Sequence, residues 1–355
     1  MKLKRILYLG WLGRANVGDE VLFEIFKRGV QQYIADHDMQ LVVDIDAWQS
    51  HKGYEQSVHH YDMVVLGGGS IFHIGHWLTI CQAAQKASVA TISWGTGIDA
   101  LSTSSINLIP PATEHLLQSV LANMQYISCR GAYTAKWLGH FIPVEQVNVL
   151  GDPALSYRPP DYLPEQLLPP HKRSNTIYVN WGTSANQILG QNEKELEKKL
   201  VVALTKLMKA GFNVVIIPIW VEDKESCTRL AEKIAHKNCQ LIPNVLAADR
   251  LFHVLRQCRY AICLKLHAAI LCAAAGCLPV SLAYRFKCIE LMDSIGLGKF
   301  ALTTDNCQPA EIVSCIETYA GDTEKYALQL SEQTEKNRAL VARSLRDIIG
   351  LLTPD

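Results

Sequence analysis

Short apolar runs recur along the chain, each followed by a glycine-bearing turn and then by an amphipathic stretch. In the first half they lie at 6–10 (ILYLG), 41–47 (LVVDIDA), 61–72 (YDMVVLGGGSIF), 89–99 (VATISWGTGID), 126–130 (YISCR) and 147–155 (VNVLGDPAL). Each reads as a strand, with returning helices such as Asp19–Ile34 and the segment GAYTAKWLG; strands alternating with helices predict a doubly wound parallel sheet. The pattern restarts at 176–183 (TIYVNWGT). It continues with a helix over Glu193–Ala210, a strand within 212–220, a helix over Lys224–Lys237 and a short strand at Cys239–Ile242. A βαβ unit follows: strand 259–264, an alanine-rich helix 266–275 stopped by Gly276, and strand 278–283. Between the two sets, SYRPPDYLPEQLLPPHKRSN holds five of the 14 prolines, which neither a helix interior nor a central strand accepts. Residues 1–157 therefore read as one α/β domain, 158–175 as a linker and 176–321 as a second domain. In 322–355 an amphipathic helix, with Leu330, Leu340, Val341, Leu345 and Ile348 on one side, is expected to pack back across both.

At 355 residues the chain has material for two cores. Lys plus Arg and Asp plus Glu balance at 34 each, which argues against a nucleic-acid channel or a polybasic membrane surface while leaving room for a local basic cleft. The 11 cysteines include no CxxC pair and sit in apolar runs, as at Cys263, Cys272 and Cys277, so a reducing cytoplasm is expected, with at most a peripheral visit to the inner face of the membrane. The first ten residues carry too short an apolar run for a signal peptide, and the apolar stretch 268–284 is broken by Gly276 and Pro279, so no transmembrane segment is expected.

Ionisable groups concentrate in the βαβ unit. Lys265, His267, Arg285 and Lys287 each fall just after a strand or in the first turn of the next helix, at the end of a parallel sheet where ligands bind. Two helix N-termini add unfilled amide donors, so the corner is built to attract a phosphate or carboxylate. Other features have plainer readings. Asp44 and Asp46 have the spacing of a metal-binding acid pair but end an alternating strand, and His73 and His76 lack a third ligand at suitable spacing, so no metal is expected. Trp77, Trp94 and Trp181 flank glycine turns, where they either stack on a sugar or pack in the core.

Four segments together resemble the polysaccharide pyruvyl transferase family over most of residues 5–300. They are GWLGRANVGDE with Asn16, Gly18 and Asp19; Gly67-Gly68-Gly69-Ser70 with Gly95-Thr96-Gly97-Ile98; Ser128-Cys129-Arg130 with Gly151-Asp152-Pro153; and Lys265-Leu266-His267 with Tyr284-Arg285-Phe286-Lys287. The chain departs from the family in having Lys265 for an arginine, Gly131 for an aspartate, and His73 for an acidic residue. The resemblance implies an α/β protein of two doubly wound Rossmann-like domains facing a cleft, similar to the GT-B architecture. It also implies transfer of pyruvyl from phosphoenolpyruvate to two hydroxyls of a surface-glycan precursor, giving a cyclic ketal and phosphate. The first domain would hold a saccharide acceptor, free or lipid-linked, and the second the donor, with no other cofactor. Arg130, Lys265, Arg285 and Lys287 would bind the anionic donor, with Asn16, Gly68, Gly69 and Ser70 completing the substrate site. His267 would protonate carbon 3 of the donor, charged in the complex and mostly neutral without it. Asp19, placed at the N-cap of the first helix, would orient or deprotonate the acceptor hydroxyl.

Two other classes fit the same fold: a nucleotide-sugar glycosyltransferase and a non-catalytic binding protein. The former needs an acidic residue for ribose hydroxyls past the phosphate loop, where Tyr284 and Glu290 stand.

Overall fold

The computed structural model describes residues 2–49, 53–100, 109–159 and 175–353. They form two six-stranded sheets in which every neighbouring pair of strands is parallel. The first comprises β1 (Lys2–Leu9), β2 (Leu41–Ala47), β3 (Met63–Leu66), β4 (Ala90–Thr96), β5 (Tyr126–Cys129) and β6 (Val147–Val149), ordered β2-β1-β3-β4-β5-β6. Its helices are α1 (Val17–Asp36), α2 (Gly75–Lys86), α3 (Pro111–Ala122) and α4 (Ala132–Leu138).

The second sheet holds β7 (Thr176–Asn180), β8 (Asn213–Ile216), β9 (Cys239–Leu241), β10 (Tyr260–Cys263), β11 (Leu278–Ala283) and β12 (Ala301–Thr303), ordered β12-β11-β10-β7-β8-β9. Its helices are α5 (Glu193–Lys209), α6 (Lys224–Ile234), α7 (Ala248–Leu255), α8 (Leu266–Ala274), α9 (Phe286–Ser294) and α10 (Pro309–Gly321). Two doubly wound sheets are what the strand pattern predicts. The pattern does not announce α7, β12 or α10, whose apolar runs are short. Most of the proline-rich segment, 160–174, lies outside the described residues.

Uniformly apolar strands form because both faces of each sheet are covered. β3, β10 and β11 are buried throughout, and α8 is buried at every position except His267. The helix α11 (Thr323–Leu352) runs across both halves: Tyr326 and Leu330 join the core of the second sheet, while Val341, Leu345, Ile348, Ile349 and Leu352 join that of the first. Leu340, expected on this face, is exposed; Ile349 and Leu352 take its place. Trp77, Trp94 and Trp181 are fully buried, so packing is their role; Trp94 donates to Ser344 of α11 at 3.0 Å and Trp181 to Glu197 at 2.8 Å. Asp46 is held by Arg5 at 3.0 Å and Tyr61 at 2.8 Å, a strand-end ion pair. Among the described residues no helix is long and apolar enough to cross a membrane.

Candidate active site

Loops at the carboxyl ends of both sheets enclose a cavity of about 550 Å³ between the two halves. From the first sheet come Trp11, Arg14, Asn16 and Asp19 after β1, Gly69, Ser70 and His73 after β3, Asp99 after β4 and Arg130 after β5. From the second come Trp220 and Glu222 after β8, Lys265 and His267 after β10, and Tyr284 and Lys287 after β11. This is the crevice that doubly wound sheets offer to ligands.

Helices α1 and α8 meet here end to end. Asn16 caps α1, its Oδ1 accepting from the Gly18 amide at 3.2 Å, while Val17 N donates across to Ile219 O at 3.1 Å. Asp19 is thus in the first turn of α1, not at its cap as the sequence suggested, because the helix starts two residues earlier. A Cβ on Gly18 would lie 2.0 Å from His267 Cγ, so only glycine lets the two helix starts approach. The contact sets His267 and Asp19 in one cavity wall.

Arg130, Lys265 and Lys287 each have an acid beside them. Arg130, buried, places Nε 3.4 Å from Glu290 Oε2, Nη1 3.3 Å from Ser70 Oγ and Nη2 3.2 Å from Ile98 O. Glu290 Oε1 also accepts from Thr134 N at 2.8 Å. Gly131 leaves space for this carboxylate, since a Cβ there would come within 2.5 Å of Glu290. The acid missing at position 131 is supplied instead from α9. Lys265 Nζ donates to Thr183 O and lies 3.7 Å from the buried Asp223 Oδ1. Asp99 Oδ2 binds both Arg285 Nη1 at 2.7 Å and Lys287 Nζ at 3.1 Å.

Two expected binding residues stand elsewhere. Arg285 lies behind the cavity wall, held by Asp99 and by Gln187, whose Oε1 accepts at 3.0 Å. Gly68 lies outside the cavity: its N donates to Tyr8 Oη at 3.0 Å, and a Cβ there would strike Leu22 at 2.7 Å. Its role is close packing. Gly69 does reach the cavity, at φ +102°, a turn conformation that suits glycine.

Burial separates the titrating groups. It pushes the Asp19 carboxyl up to about 7, with Lys287 opposing and Asp152 assisting. It pushes His267 down to about 3, with the Lys287 and Arg130 charges adding to the effect. The imidazole is therefore neutral in the unliganded protein; the residue is half-buried, and its Nε2 is buried without a partner. Burial also raises Asp223 to about 6 and lowers Lys265, so both partners of that pair are drawn towards their neutral forms. Asp99 differs: burial opposes its charge, yet Lys287 and Arg285 together hold its carboxyl below the usual range. Lys287 is raised because Tyr284 and Asp99 outweigh its own burial.

Sequence reasoning missed the acids Asp99 and Asp223, and also Arg14, Trp11 and Trp220; it named Glu290 only as a possible ribose acid and not as the partner of Arg130. Asp99 and Trp220 follow strands at their carboxyl ends, a signal that was available; Asp223 sits in a short helical segment with nothing to mark it. Among the described residues no three His, Cys, Asp or Glu side chains gather to hold a metal ion.

Several solved structures share the fold. S. aureus MnaA, solved with UDP, superposes with a TM-score of 0.68 at 14% identity, covering 98% of this chain and 97% of that one. Anabaena Alr3699/HepE, solved with UDP-glucose, gives 0.59 at 12% identity over 98% and 99%. A glycosyltransferase from Rickettsia africae gives 0.59 at 12% over 100% of both chains. At such identities the likeness is one of fold, the GT-B type. No curated protein matches the chain significantly. The family model described as Polysaccharide pyruvyl transferase matches residues 12–285. Because that match runs from the loop after β1 to the loop after β11 and so covers well over half of the chain, the chain belongs to the polysaccharide pyruvyl transferase family.

Proposed function

We propose that the protein transfers the pyruvyl group of phosphoenolpyruvate to two hydroxyls of a saccharide, closing a cyclic ketal and releasing phosphate. The observation that carries this reading is the convergence of Lys265, Lys287, Arg130 and the start of α8 on one cavity, in a chain of this family. A donor bearing a phosphate and a carboxylate needs fixed cations and free helix amides in water-poor surroundings.

The proton assignments follow from the burial of each group. Restoring half-protonation of His267 at neutral pH would require a ligand to contribute about 5 kcal/mol, whereas Asp19 already holds a proton near neutrality. In this reading Asp19 is the acid. Its proton goes to carbon 3 of the donor as carbon 2 becomes oxocarbenium-like; the first sugar hydroxyl adds to carbon 2 and its proton returns to the Asp19 carboxylate. The second hydroxyl then replaces the phosphate at carbon 2, and phosphate leaves with that hydroxyl's proton. Neutral His267, with Nε2 unpartnered, hydrogen-bonds the donor and does not protonate it. Lys265, Lys287 and Arg130 balance the phosphate and carboxylate charge, and Asn16, Ser70 and Gly69 border the acceptor side.

A nucleotide-sugar reading is favoured by the fold shared with enzymes solved with UDP or UDP-glucose. Against it, Glu290, the acid that would take the ribose hydroxyls, is already bound to Arg130 and Thr134. One assay separates the readings: the protein with phosphoenolpyruvate or with UDP-sugars, over a panel of saccharides. Saccharide-dependent phosphate release is expected. Nucleotide release would replace the proposal, and thermal stabilisation by neither donor would leave a binding protein.

A further inference from the structure

The two cations at the start of α9 are not free to receive a ligand. Asp99, carried on the loop after β4, spans the cleft and bonds both, with Oδ2 at 2.7 Å from Arg285 and 3.1 Å from Lys287. The loop is docked there by its backbone as well, Phe286 N donating to Ala100 O at 3.3 Å. Yet the carboxylate is only half used. Its Oδ1 is buried and accepts no hydrogen bond, a state that costs free energy and that a merely structural ion pair would avoid. Asp99 also lines the cavity, next to the Lys287 ammonium that any bound anion would seek.

We propose that Asp99 is a specificity-determining residue that selects doubly charged ligands, by standing in the unliganded protein at the seat a ligand anion must take. The inference rests on the reading of this cavity as an anion site, not on the identity of the donor. A monocarboxylate arriving at Lys287 only exchanges one carboxylate for another, and it must also compete with a group tethered beside the site, whose effective concentration is high. A phosphate brings a second negative charge and further acceptor oxygens, so it gains where a monocarboxylate does not. Displacing Asp99 also frees its buried Oδ1 to reach solvent. The same exchange predicts that pyruvate, carrying only the carboxylate, binds poorly even though it shares the carbon skeleton of the proposed donor.

The test is calorimetric binding of inorganic phosphate and of pyruvate to the full chain, wild type against Asp99→Asn. Wild type should bind phosphate and take up pyruvate at least tenfold more weakly. In Asp99→Asn both should bind more tightly, pyruvate by tenfold or more, so that the discrimination collapses. Binding of pyruvate by the variant alone, with no wild-type binding of either anion, would overturn the proposal, since Asp99 would then exclude anions whatever their charge. Weaker or unchanged binding in a folded variant would overturn it, and so would an equal gain for both anions, since removing a negative charge beside Lys287 and Arg285 favours any anion and only the lost discrimination marks displacement. Should Asp99→Asn not fold with two cations left unbalanced, the charge-matched pair Asp99→Asn with Arg285→Gln keeps Lys287 and reads the same discrimination. Phosphoenolpyruvate is titrated alongside: if it fails to bind while phosphate selection follows Asp99, the donor reading falls and this one stands.

Discussion

Asp19 is the residue at which burial and chemistry meet most directly. Its carboxyl, near 4 in an unfolded chain, is raised to about 7 in the fold. Between those values the folded protein keeps a proton that the unfolded chain has lost, so stability falls as pH rises from about 4 to about 7 and is level above. Asp19→Asn removes that penalty. The variant should match wild type at pH 4 and exceed it at pH 8, by up to about 4 kcal/mol, as read from urea midpoints; equal stability at pH 8 would mean that Asp19 ionises freely. The same variant should lose a thousandfold or more in turnover with donor affinity held within a few fold. Wild-type turnover should fall as pH rises through about 7, because the proposed reaction draws its proton from Asp19. The sequence marks Asp19 as a candidate to orient or deprotonate the acceptor hydroxyl, but the burial that raises its carboxyl is not written in the residues beside it.

At the level of elements, the site depends on how closely helix starts approach. α1 and α8 meet through Gly18 and His267, where a Cβ added at position 18 would come within 2.0 Å of the ring. Gly18→Ala should cost roughly 1–3 kcal/mol, the usual penalty for overpacking, and displace the imidazole. His267→Ala should recover part of that stability in the double variant but not the turnover; additive losses in the double-mutant cycle would show the two positions to be uncoupled. Gly131 makes a second case. Restoring an aspartate there should destabilise, since the Cβ collides with Glu290 at 2.5 Å and brings a second carboxylate to Arg130. Gly131→Asp combined with Glu290→Ala should be the more stable of the two variants by thermal melting. Glycine at 131 reads in the sequence as a lost acid; in the fold it is the space another acid occupies.

Across the whole molecule, the two sheets are joined at the cleft by ion pairs buried to different depths. Arg130 and Glu290 each expose 1% of their side chains, so deleting either strands a charge in the interior. Glu290→Ala should cost about 3–5 kcal/mol in chemical denaturation; a loss under about 1 kcal/mol would place the pair effectively in solvent. The Asp99 bridge is more exposed, at 13–21% for its members, and its rupture is correspondingly cheaper, which suits a contact that a ligand must displace. α11 adds an apolar strap across both halves, with Asn337 donating to Leu150 O at 2.8 Å.

Local pattern along the chain is enough to specify the parallel strands, the alanine-rich helix α8 and the gathering of Lys265, His267 and Lys287 at strand ends. These follow from short-range periodicity and from the rule that consecutive βα units leave their loops on one edge of a sheet. Which acid answers each cation is settled in three dimensions, because Arg130 meets Glu290 across 160 residues and Arg285 meets Asp99 across 186. The protonation of Asp19 and His267 is settled there too, since desolvation depends on everything packed around a group and leaves no mark in the residues beside it along the chain.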